Sequence, residues 1–253
     1  MAQFKNAQES HNHSKEVLDI LYGYDAFLDS IEFVADFGCG FGLDTKWWAT
    51  LETRDDPPEP RNYTVYAVDK DVSRFNPEIK SLPNVHVFEA DFDGVDPIIP
   101  RKIDFLWCHD AFQYVTNPLS TLKTWNEIMN VNGMMVMILP QQTHYAYNRL
   151  QTHSYNLNYY NHNIVSLMYM LAVNGFDCKD AYFQKEENSQ WLYAAVYKSD
   201  IPPMNPKTTT WYELAEKNLL NDSAVECLTR YGYVKQDDLV VRWLDKDFSF
   251  SRE

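Results

Sequence analysis

The feature that most constrains the fold is a set of spaced glycines between an apolar segment and a helix-like segment. Residues 33–49 read FVADFGCGFGLDTKWWA, which places Gly38, Gly40 and Gly42 at alternate positions after Asp36. Glycine lacks a Cβ, so it adopts left-handed backbone conformations easily and lets a ligand come close to the main chain. We therefore expect a strand-to-helix turn here that borders a ligand.

Strand-like and helix-like segments alternate along the first 140 residues. Strands are predicted where short apolar runs are bounded by polar or turn residues, and their apolar character on both faces favours a parallel sheet covered by helices. This is a doubly wound α/β arrangement. The predicted strands are 32–37, 63–71, 84–92, 102–110 and 133–140, and the predicted helices are 43–53, 117–129 and 164–175. Residues 176–184 and 190–198 predict an antiparallel hairpin.

We expect a main domain over residues 1–200 and a C-terminal extension over 201–253. Helical spacing of apolar residues within 14–31 predicts that residues 1–31 supply an N-terminal helical lid, with the preceding His11-Asn12-His13 as a flexible terminus. The extension is too short for an independent core, so it should pack on the main domain. Its Thr210 and Glu213 have the spacing of a helix capping box.

Composition excludes several functional classes. The formal net charge of −14 argues against broad electrostatic binding to nucleic acid. No stretch approaches the roughly 20 apolar residues of a membrane span, and the polar N-terminus lacks a signal peptide's apolar region. The four cysteines are widely spaced, which favours reduced buried thiols over a zinc site or disulfides. We expect a cytoplasmic monomer or homodimer without a metal.

The glycine spacing distinguishes a P-loop and a dinucleotide-binding fingerprint from a third kind of cofactor-binding turn. A phosphate-binding P-loop needs Gly-Lys-Ser/Thr, and a dinucleotide fingerprint needs a glycine where this chain has Leu43. The acid-x-Gly-x-Gly-x-Gly spacing instead resembles the first motif of class I S-adenosylmethionine-dependent methyltransferases. Asp69 and Asp91 lie at the ends of the second and third predicted strands, as that family's later motifs do. The resemblance covers roughly residues 15–200.

The resemblance implies a Rossmann-like sheet of seven strands in the order 3-2-1-4-5-7-6, with the last strand antiparallel and helices on both faces. It also implies roles for individual residues. Asp36 and the glycines would hold the methionine end of S-adenosyl-L-methionine, Asp69 the ribose hydroxyls, and Asp91 with Phe92 the adenine. The cofactor-binding residues implied in this way are Asp36, Gly38, Cys39, Gly40, Asp69, Lys70, Asp91, Phe92 and His109.

Candidates for catalysis should lie near the ends of the fourth and fifth strands. His109 ends the fourth strand, and Asp110 beside it is expected to cap the next helix. Tyr114 stands where many family members have a histidine, but a tyrosine of ordinary pKa, about 10, is a poor base. Residues 141–163 form a long Tyr-, Asn- and His-rich segment that is either a wall or lid over the acceptor, with His144 as a candidate base, or a polar surface insertion.

The resemblance implies methyl transfer to nitrogen or oxygen of a small-molecule acceptor. No Asn/Asp-Pro-Pro-Tyr/Phe motif follows the fourth strand and no Pro-Cys pair is present there, which with the net charge disfavours a nucleic-acid substrate. The alternative is a methyltransferase-fold protein that binds cofactor or serves as a scaffold without turnover, acting through a protein partner. The tyrosine at position 114 keeps that alternative open.

Overall fold

A computed structural model of the chain shows a single seven-stranded sheet with helices on both faces. The structure describes residues 7–92, 98–99, 102–140, 162–184 and 191–242. The strands are β1 Phe33–Phe37, β2 Thr64–Asp69, β3 Val85–Glu89, β4 Ile103–His109, β5 Met129–Pro140, β6 Phe176–Gln184 and β7 Trp191–Lys198. The helices are α1 Ala7–Tyr22, α2 Asp25–Leu28, α3 Leu43–Ala49, α4 Pro77–Lys80, α5 Pro118–Ile128, α6 Ile164–Val173, α7 Trp211–Glu216 and α8 Asp222–Tyr231.

The strand order is β3-β2-β1-β4-β5-β7-β6, which confirms the predicted topology. The first five strands pair in parallel, whereas β7 runs antiparallel to both β5 and β6. Because β1 to β4 are parallel, their carboxyl ends meet at one edge of the sheet. Ligands of open α/β sheets bind at this edge.

Alternate residues of β4 show how the sheet separates two apolar cores. Leu106 and Cys108 lie in the core that α5 and α6 cover, and Phe105 and Trp107 lie in the core that α1 and α3 cover. The chain reverses its side-chain direction at each residue of a strand, so one buried strand supplies both cores. Such a strand is apolar throughout, which is why the sequence predicts it clearly.

The N-terminal helix differs from its prediction. Helix α1 begins at Ala7, so His11 and His13 are helical and the expectation of a flexible terminus there is wrong. The helix ends before Gly23, and a separate short helix, α2, follows. Helix α3 likewise ends at Ala49, earlier than the predicted residue 53. Its C-cap, Thr50, has a non-helical backbone, with φ of −115° and ψ of 14°.

Residues 201–242 lie against the sheet and α6. Leu214 and Leu220 are buried in the same core as β6, and isolated bridges pair Cys178 with Leu220 and Tyr182 with Arg242. The predicted capping box is confirmed, because the Thr210 side chain accepts from the Glu213 backbone N–H while the Glu213 side chain accepts from the Thr210 N–H.

Much of the predicted acceptor segment, 141–161, lies outside the described residues. Its last two residues, His162 and Asn163, are described, and Asn163 caps α6. All four cysteines are free and buried, as expected. Within the described part of the chain, no helix has the length and apolar character needed to cross a bilayer.

Candidate functional site

A cavity of about 470 Å³ opens at the carboxyl ends of β1, β2 and β4. This volume lies within the range of about 300–1,000 Å³ typical of small-molecule sites. The cavity brings together every residue that the sequence assigns to a cofactor: Asp36, Gly38, Cys39, Gly40, Asp69, Lys70, Asp91, Phe92 and His109. Tyr114 also lines it, whereas His144 lies outside the described residues.

The three glycines of the turn differ in the space that a side chain would have at each position. All have positive φ, with values of +81° at Gly38, +50° at Gly40 and +83° at Gly42. A Cβ on Gly38 would lie 2.2 Å from the Ala111 Cβ, and one on Gly42 would lie 2.5 Å from the Phe75 ring. A Cβ on Gly40 would meet nothing nearer than 3.9 Å. Packing therefore demands glycine at positions 38 and 42, while Gly40 leaves open space in the cavity.

Asp69 fixes the turn from the neighbouring strand. One of its carboxylate oxygens accepts from the Gly40 N–H at 2.9 Å, and the other accepts from the Asp71 N–H at 3.0 Å. A carboxylate has about four lone-pair positions, so two remain for a ligand. Beside it, the Lys70 ammonium lies 5.8 Å from the centre of the Tyr114 ring.

Asp91 and Phe92 also line the cavity, and the Phe92 ring would lie 3.5 Å from a Cβ on Gly38. Asp91 is exposed, and Phe92 is buried with its ring stacked on Phe37 at a centroid distance of 6.2 Å and an interplanar angle of 11°. Trp125 contacts the same ring edge-on, so the position of Phe92 is fixed from two sides.

Asp36 is the most buried acid of the cavity, with 2% of its surface exposed. Burial raises its pKa to about 8, with further contributions from the charges of Asp44 and Asp69. The Thr45 hydroxyl donates to the carboxyl at 2.5 Å and opposes that rise. A cation bound beside Asp36 would favour the ionised form, since opposite charge lowers a carboxyl pKa.

Helix α1 closes one side of the cavity. It is held there by hydrogen bonds to Asp44, the second residue of α3. The Asp44 carboxylate accepts from His11 Nδ1 at 2.5 Å, from Ser14 Oγ at 2.7 Å and from Trp107 Nε1 at 3.0 Å. Burial raises the pKa of Asp44, but the hydrogen bonds from His11 and Ser14 outweigh it and hold the pKa below its ordinary value. Asp44 is therefore an ionised acceptor, unlike its neighbour Asp36.

His109 is linked to α1 by a second contact. Its Nε2 lies 2.9 Å from His13 Nδ1, and its Nδ1 lies 3.7 Å from the Asp44 carboxylate. His13 also contacts the Tyr193 hydroxyl through Nε2 at 3.0 Å and packs on Trp191. Burial lowers the pKa of both histidines, for His13 to about 4. Both ring nitrogens of His109 thus face protein groups.

Asp110 does not cap the following helical turn, so that expectation is wrong. The turn Phe112–Tyr114 has Ala111 as its N-cap, without a side-chain hydrogen bond. Asp110 has a φ of +51°, and its carboxyl accepts from the Gln113 side chain at 2.6 Å. Burial raises the Asp110 pKa to about 7, so a second acid of the cavity titrates near neutrality.

Sequence reasoning missed four residues of this site, namely His11, His13, Ser14 and Asp44. One signal was available, since His11 and Ser14 are three residues apart and so share a helical face with the buried Val17 and Leu21. The sequence did not reveal their distant partners, which lie 30 to 180 residues away along the chain. In the described ranges, no three His, Cys, Asp or Glu side chains are placed to hold a metal ion.

Comparison with known proteins agrees with this geometry. Residues 35–137 match a protein-family model described as a methyltransferase domain. These residues contain the glycine turn, Asp69, Asp91 and the strand that ends at His109. Residues 35–137 therefore have the sequence pattern of a methyltransferase domain. No curated protein matches the chain in sequence.

Solved structures show the same fold for the methyltransferase domain. StiE O-MT, residues 961–1257, superposes with a TM-score of 0.55 at 10% identity, over 86% of each chain. The N-methyltransferase NodS from Bradyrhizobium japonicum, in complex with S-adenosyl-L-homocysteine, has a TM-score of 0.52 at 12% identity, over 77% of this chain and 89% of its own.

A third structure contains two bound small molecules. It is the 1,6-didemethyltoxoflavin-N1-methyltransferase of Burkholderia thailandensis, with bound 1,6-didemethyltoxoflavin and S-adenosylhomocysteine. Its TM-score is 0.51 at 14% identity, over 76% of this chain and 85% of that one. Identities this low establish the fold and leave the acceptor to be argued from the site itself.

Proposed function

We propose that this chain transfers the methyl group of S-adenosyl-L-methionine to a nitrogen or oxygen atom of a small-molecule acceptor. One observation carries the proposal. Nine residues chosen from the sequence alone, between positions 36 and 109, line a single cavity at the carboxyl edge of the sheet.

The residues of the cavity fit the cofactor chemically. Gly40 leaves open space beside the main chain, where a bound ligand can lie against the turn. Asp69 keeps lone pairs for two hydroxyl groups, and Phe92 offers an apolar ring beside Asp91. The cofactor has a sulfonium and an ammonium group, and acids line the cavity: Asp36, Asp44, Asp69, Asp91 and Asp110.

The protein's contribution to methyl transfer is mainly positional. S-adenosyl-L-methionine supplies a methyl carbon already activated by the sulfonium, so the site has to align the acceptor atom and exclude water. Helix α1 covers the cavity through His11 and Ser10, which favours a small acceptor over a macromolecule. His109, Tyr114 and His144 remain the proposed catalytic residues, with residues 141–163 as the proposed acceptor wall.

The test is isothermal titration of the purified full chain with S-adenosyl-L-methionine and S-adenosyl-L-homocysteine. We expect micromolar binding of both, weakened about 10- to 100-fold in Asp69→Asn, because that variant loses charge-assisted hydrogen bonds to two hydroxyls. Asp55→Asn, the same change in an exposed loop, is the matched control and should bind as the wild type does.

Two results would count against the proposal in different ways. A folded wild-type protein that gives neither heat nor a thermal shift with either ligand would refute cofactor binding. Normal cofactor binding with no methyl transfer to any of a broad panel of amines, alcohols and phenols would instead favour the scaffold alternative.

A further inference from the structure

Asp110 is an acid of the cavity to which the proposed function gives no specific role. It follows β4 directly and lines the cavity together with Ala111 and Tyr114. Its backbone is left-handed, with φ of +51°, and its N–H donates to the Ile138 carbonyl of β5 at 2.8 Å. Left-handed residues other than glycine are concentrated at functional sites, so we examined what the Asp110 side chain can do there.

The strand order places Asp110 on the acceptor side of the cavity. Apart from His109, the residues assigned to the cofactor lie at the ends of β1, β2 and β3. Asp110 and Tyr114 instead follow β4, whose neighbours are β1 and β5. The strand order reverses between β1 and β4, which is where open α/β sheets bind their ligands. With the cofactor over β1 to β3, we expect the acceptor over β4, next to Asp110.

One oxygen of the Asp110 carboxyl group is available to a ligand. Gln113 Nε2 donates to the other oxygen, Oδ1, at 2.6 Å. Gln113 is itself only 2% exposed, so this hydrogen bond holds the carboxyl group in one orientation. Among the residues that the structure describes, none hydrogen-bonds to Asp110 Oδ2 and no lysine, arginine or histidine forms an ion pair with it. Asp110 therefore offers an oriented acceptor to a group that donates a proton.

His109 is less able than Asp110 to take a proton from an acceptor. The Asp44 carboxylate only accepts hydrogen bonds, so His109 Nδ1, which faces it at 3.7 Å, carries the proton of the neutral ring. The other nitrogen, Nε2, then accepts from His13 Nδ1 at 2.9 Å. Because that contact occupies the Nε2 lone pair, His109 would have to separate from His13 before it could act as a base.

The acidity of Asp110 determines which acceptors it suits. Burial raises its pKa to about 7, so the carboxyl group is partly ionised at neutral pH. An alkylammonium group with the pKa of a lysine, about 10, differs from this value by about three units. An alkyl hydroxyl group resembles water, whose pKa is about 15.7, and differs by about nine units. A phenol has a pKa of about 10 as well, but it carries no positive charge for a carboxylate to attract.

We propose that Asp110 binds the ammonium group of the acceptor and takes a proton from it, so that primary and secondary amines are the acceptors of this chain. The inference rests on the proposed function and narrows it from nitrogen or oxygen to nitrogen. One N–H bond breaks, its proton goes to Asp110 Oδ2, and its electron pair stays on nitrogen. That pair forms the new N–C bond, while the S–C bond of the cofactor breaks and leaves its pair on sulfur. The products are the methylated ammonium ion, S-adenosyl-L-homocysteine and the proton, which Asp110 returns to solvent.

The first experiment compares acceptors that differ only in the reacting group. The full chain, saturated with S-adenosyl-L-homocysteine, is titrated with benzylamine and benzyl alcohol, and with hexylamine and hexanol. We expect the wild type to bind each amine at least about 10-fold more tightly than its alcohol, the value of one charge-assisted hydrogen bond. Asp110→Asn should remove this preference and change the affinity for the alcohols by no more than about twofold, the scatter expected of independent sites.

The second experiment measures methyl transfer from S-adenosyl-L-methionine to the amine that binds most tightly. Asp110→Asn should lower kcat about 100- to 10,000-fold, the usual contribution of a general base, with the affinity for S-adenosyl-L-homocysteine unchanged. Asparagine adopts the left-handed backbone as aspartate does and can still accept from Gln113, so the variant should fold. Asp200→Asn makes the same change at an exposed residue after β7, outside the cavity, and should leave binding and turnover unchanged.

Each other outcome overturns the inference. Equal weakening of amines and alcohols by Asp110→Asn would mean that Asp110 only shapes the cavity, and unchanged turnover would mean that another group takes the proton. Wild-type protein that binds S-adenosyl-L-homocysteine but prefers alcohols, or binds no amine of the panel, would refute amines as the acceptors. If the wild type does not bind S-adenosyl-L-homocysteine, the proposed function itself fails. That case is recognised in the first titration, before any acceptor is added.

Discussion

The glycine turn and the N-terminal helix border the same cavity, yet they are built in opposite ways. The backbone conformation of the turn depends on its own glycines, because Gly38, Gly40 and Gly42 are left-handed within five consecutive residues. The hydrogen bonds from outside the turn come from the end of β2, through Val68 and Asp69, and from Asn76. The helix contributes side chains whose partners are 33, 96 and 180 residues away. The backbone conformation of one wall therefore depends on local glycines, and the other wall consists of side chains that meet only after the chain has folded.

The two walls also respond differently to change. The turn tolerates almost no added atoms, because Gly38 lies against Ala111 and Gly42 against Phe75. The helix face depends on the protonation of a few buried groups, so pH rather than volume is its sensitive variable. Three experiments can separate these two dependences.

The largest effect should come from Gly38→Ala. The new methyl group would lie 2.2 Å from the Ala111 Cβ at a φ of +81°. Left-handed strain of about 1–2 kcal/mol and overpacking of about 1–3 kcal/mol together predict a loss of about 2–5 kcal/mol in the free energy of unfolding. Urea denaturation measures this loss directly.

Gly40→Ala is the matched control for that variant. It has a φ of +50° and no steric conflict, so it should cost only about 1–2 kcal/mol of stability while weakening cofactor binding. Equal destabilisation by the two substitutions would show that the turn acts as one strained unit and that Gly40 has no separate ligand role.

A smaller effect is expected from the charge of Asp36. Its folded pKa of about 8 lies above the ordinary carboxyl value, so the folded state keeps a proton that the unfolded state has released. The stability that this proton confers is present at low pH and is lost as the pH rises towards 8. Relative to Asp36→Asn, the wild type should lose about 1 kcal/mol per pH unit between pH 5 and 8.

Urea denaturation of both proteins at pH 5, 6, 7 and 8, without ligand, measures that slope. Asn keeps an oxygen that can accept from the Thr45 hydroxyl, so the variant removes the charge and leaves this contact possible. A stability difference that stays constant with pH would mean that Asp36 is ionised throughout and that its burial is compensated.

The smallest effect belongs to the helix wall, and its sign is opposite. Burial, followed by the charge of His109, lowers the His13 pKa to about 4. A lowered histidine pKa stabilises the fold above about pH 6.5, and this stability is lost as the pH falls through 4. Because His13 is only partly shielded, we expect the wild type to lose about 1–2 kcal/mol relative to His13→Gln over that range.

Limited proteolysis between pH 7 and 4.5 would locate that loss. Cleavage should appear first in α1 of the wild type, and later or not at all in His13→Gln, whose side chain gains no charge in acid. Simultaneous cleavage elsewhere in both proteins would contradict a loss specific to the α1 contact with His109 and Tyr193.

Much of the architecture could be predicted because its signals are local. Asn117 and Pro118 predict the start of α5, and the structure has Asn117 accepting from the Ser120 N–H. The apolar character of β4 on both faces predicts its burial between two cores. Errors occurred where local signals compete. Aspartate is a residue type that often caps helices, which predicted a cap at Asp110. Its backbone is left-handed instead, and its side chain bonds to Gln113.

The spacing of Asp36, Gly38, Gly40 and Gly42 determined the turn, because backbone conformation depends on the presence or absence of a Cβ at each position. The roles of His11, Asp44 and Asp36 followed from packing. A carboxyl group's pKa depends on which charges and donors surround it and on how much water remains, and those are properties of neighbours from distant parts of the chain. Two aspartates eight positions apart thus became, once the sheet and α1 enclosed them, one acid that titrates near pH 8 and one that stays ionised.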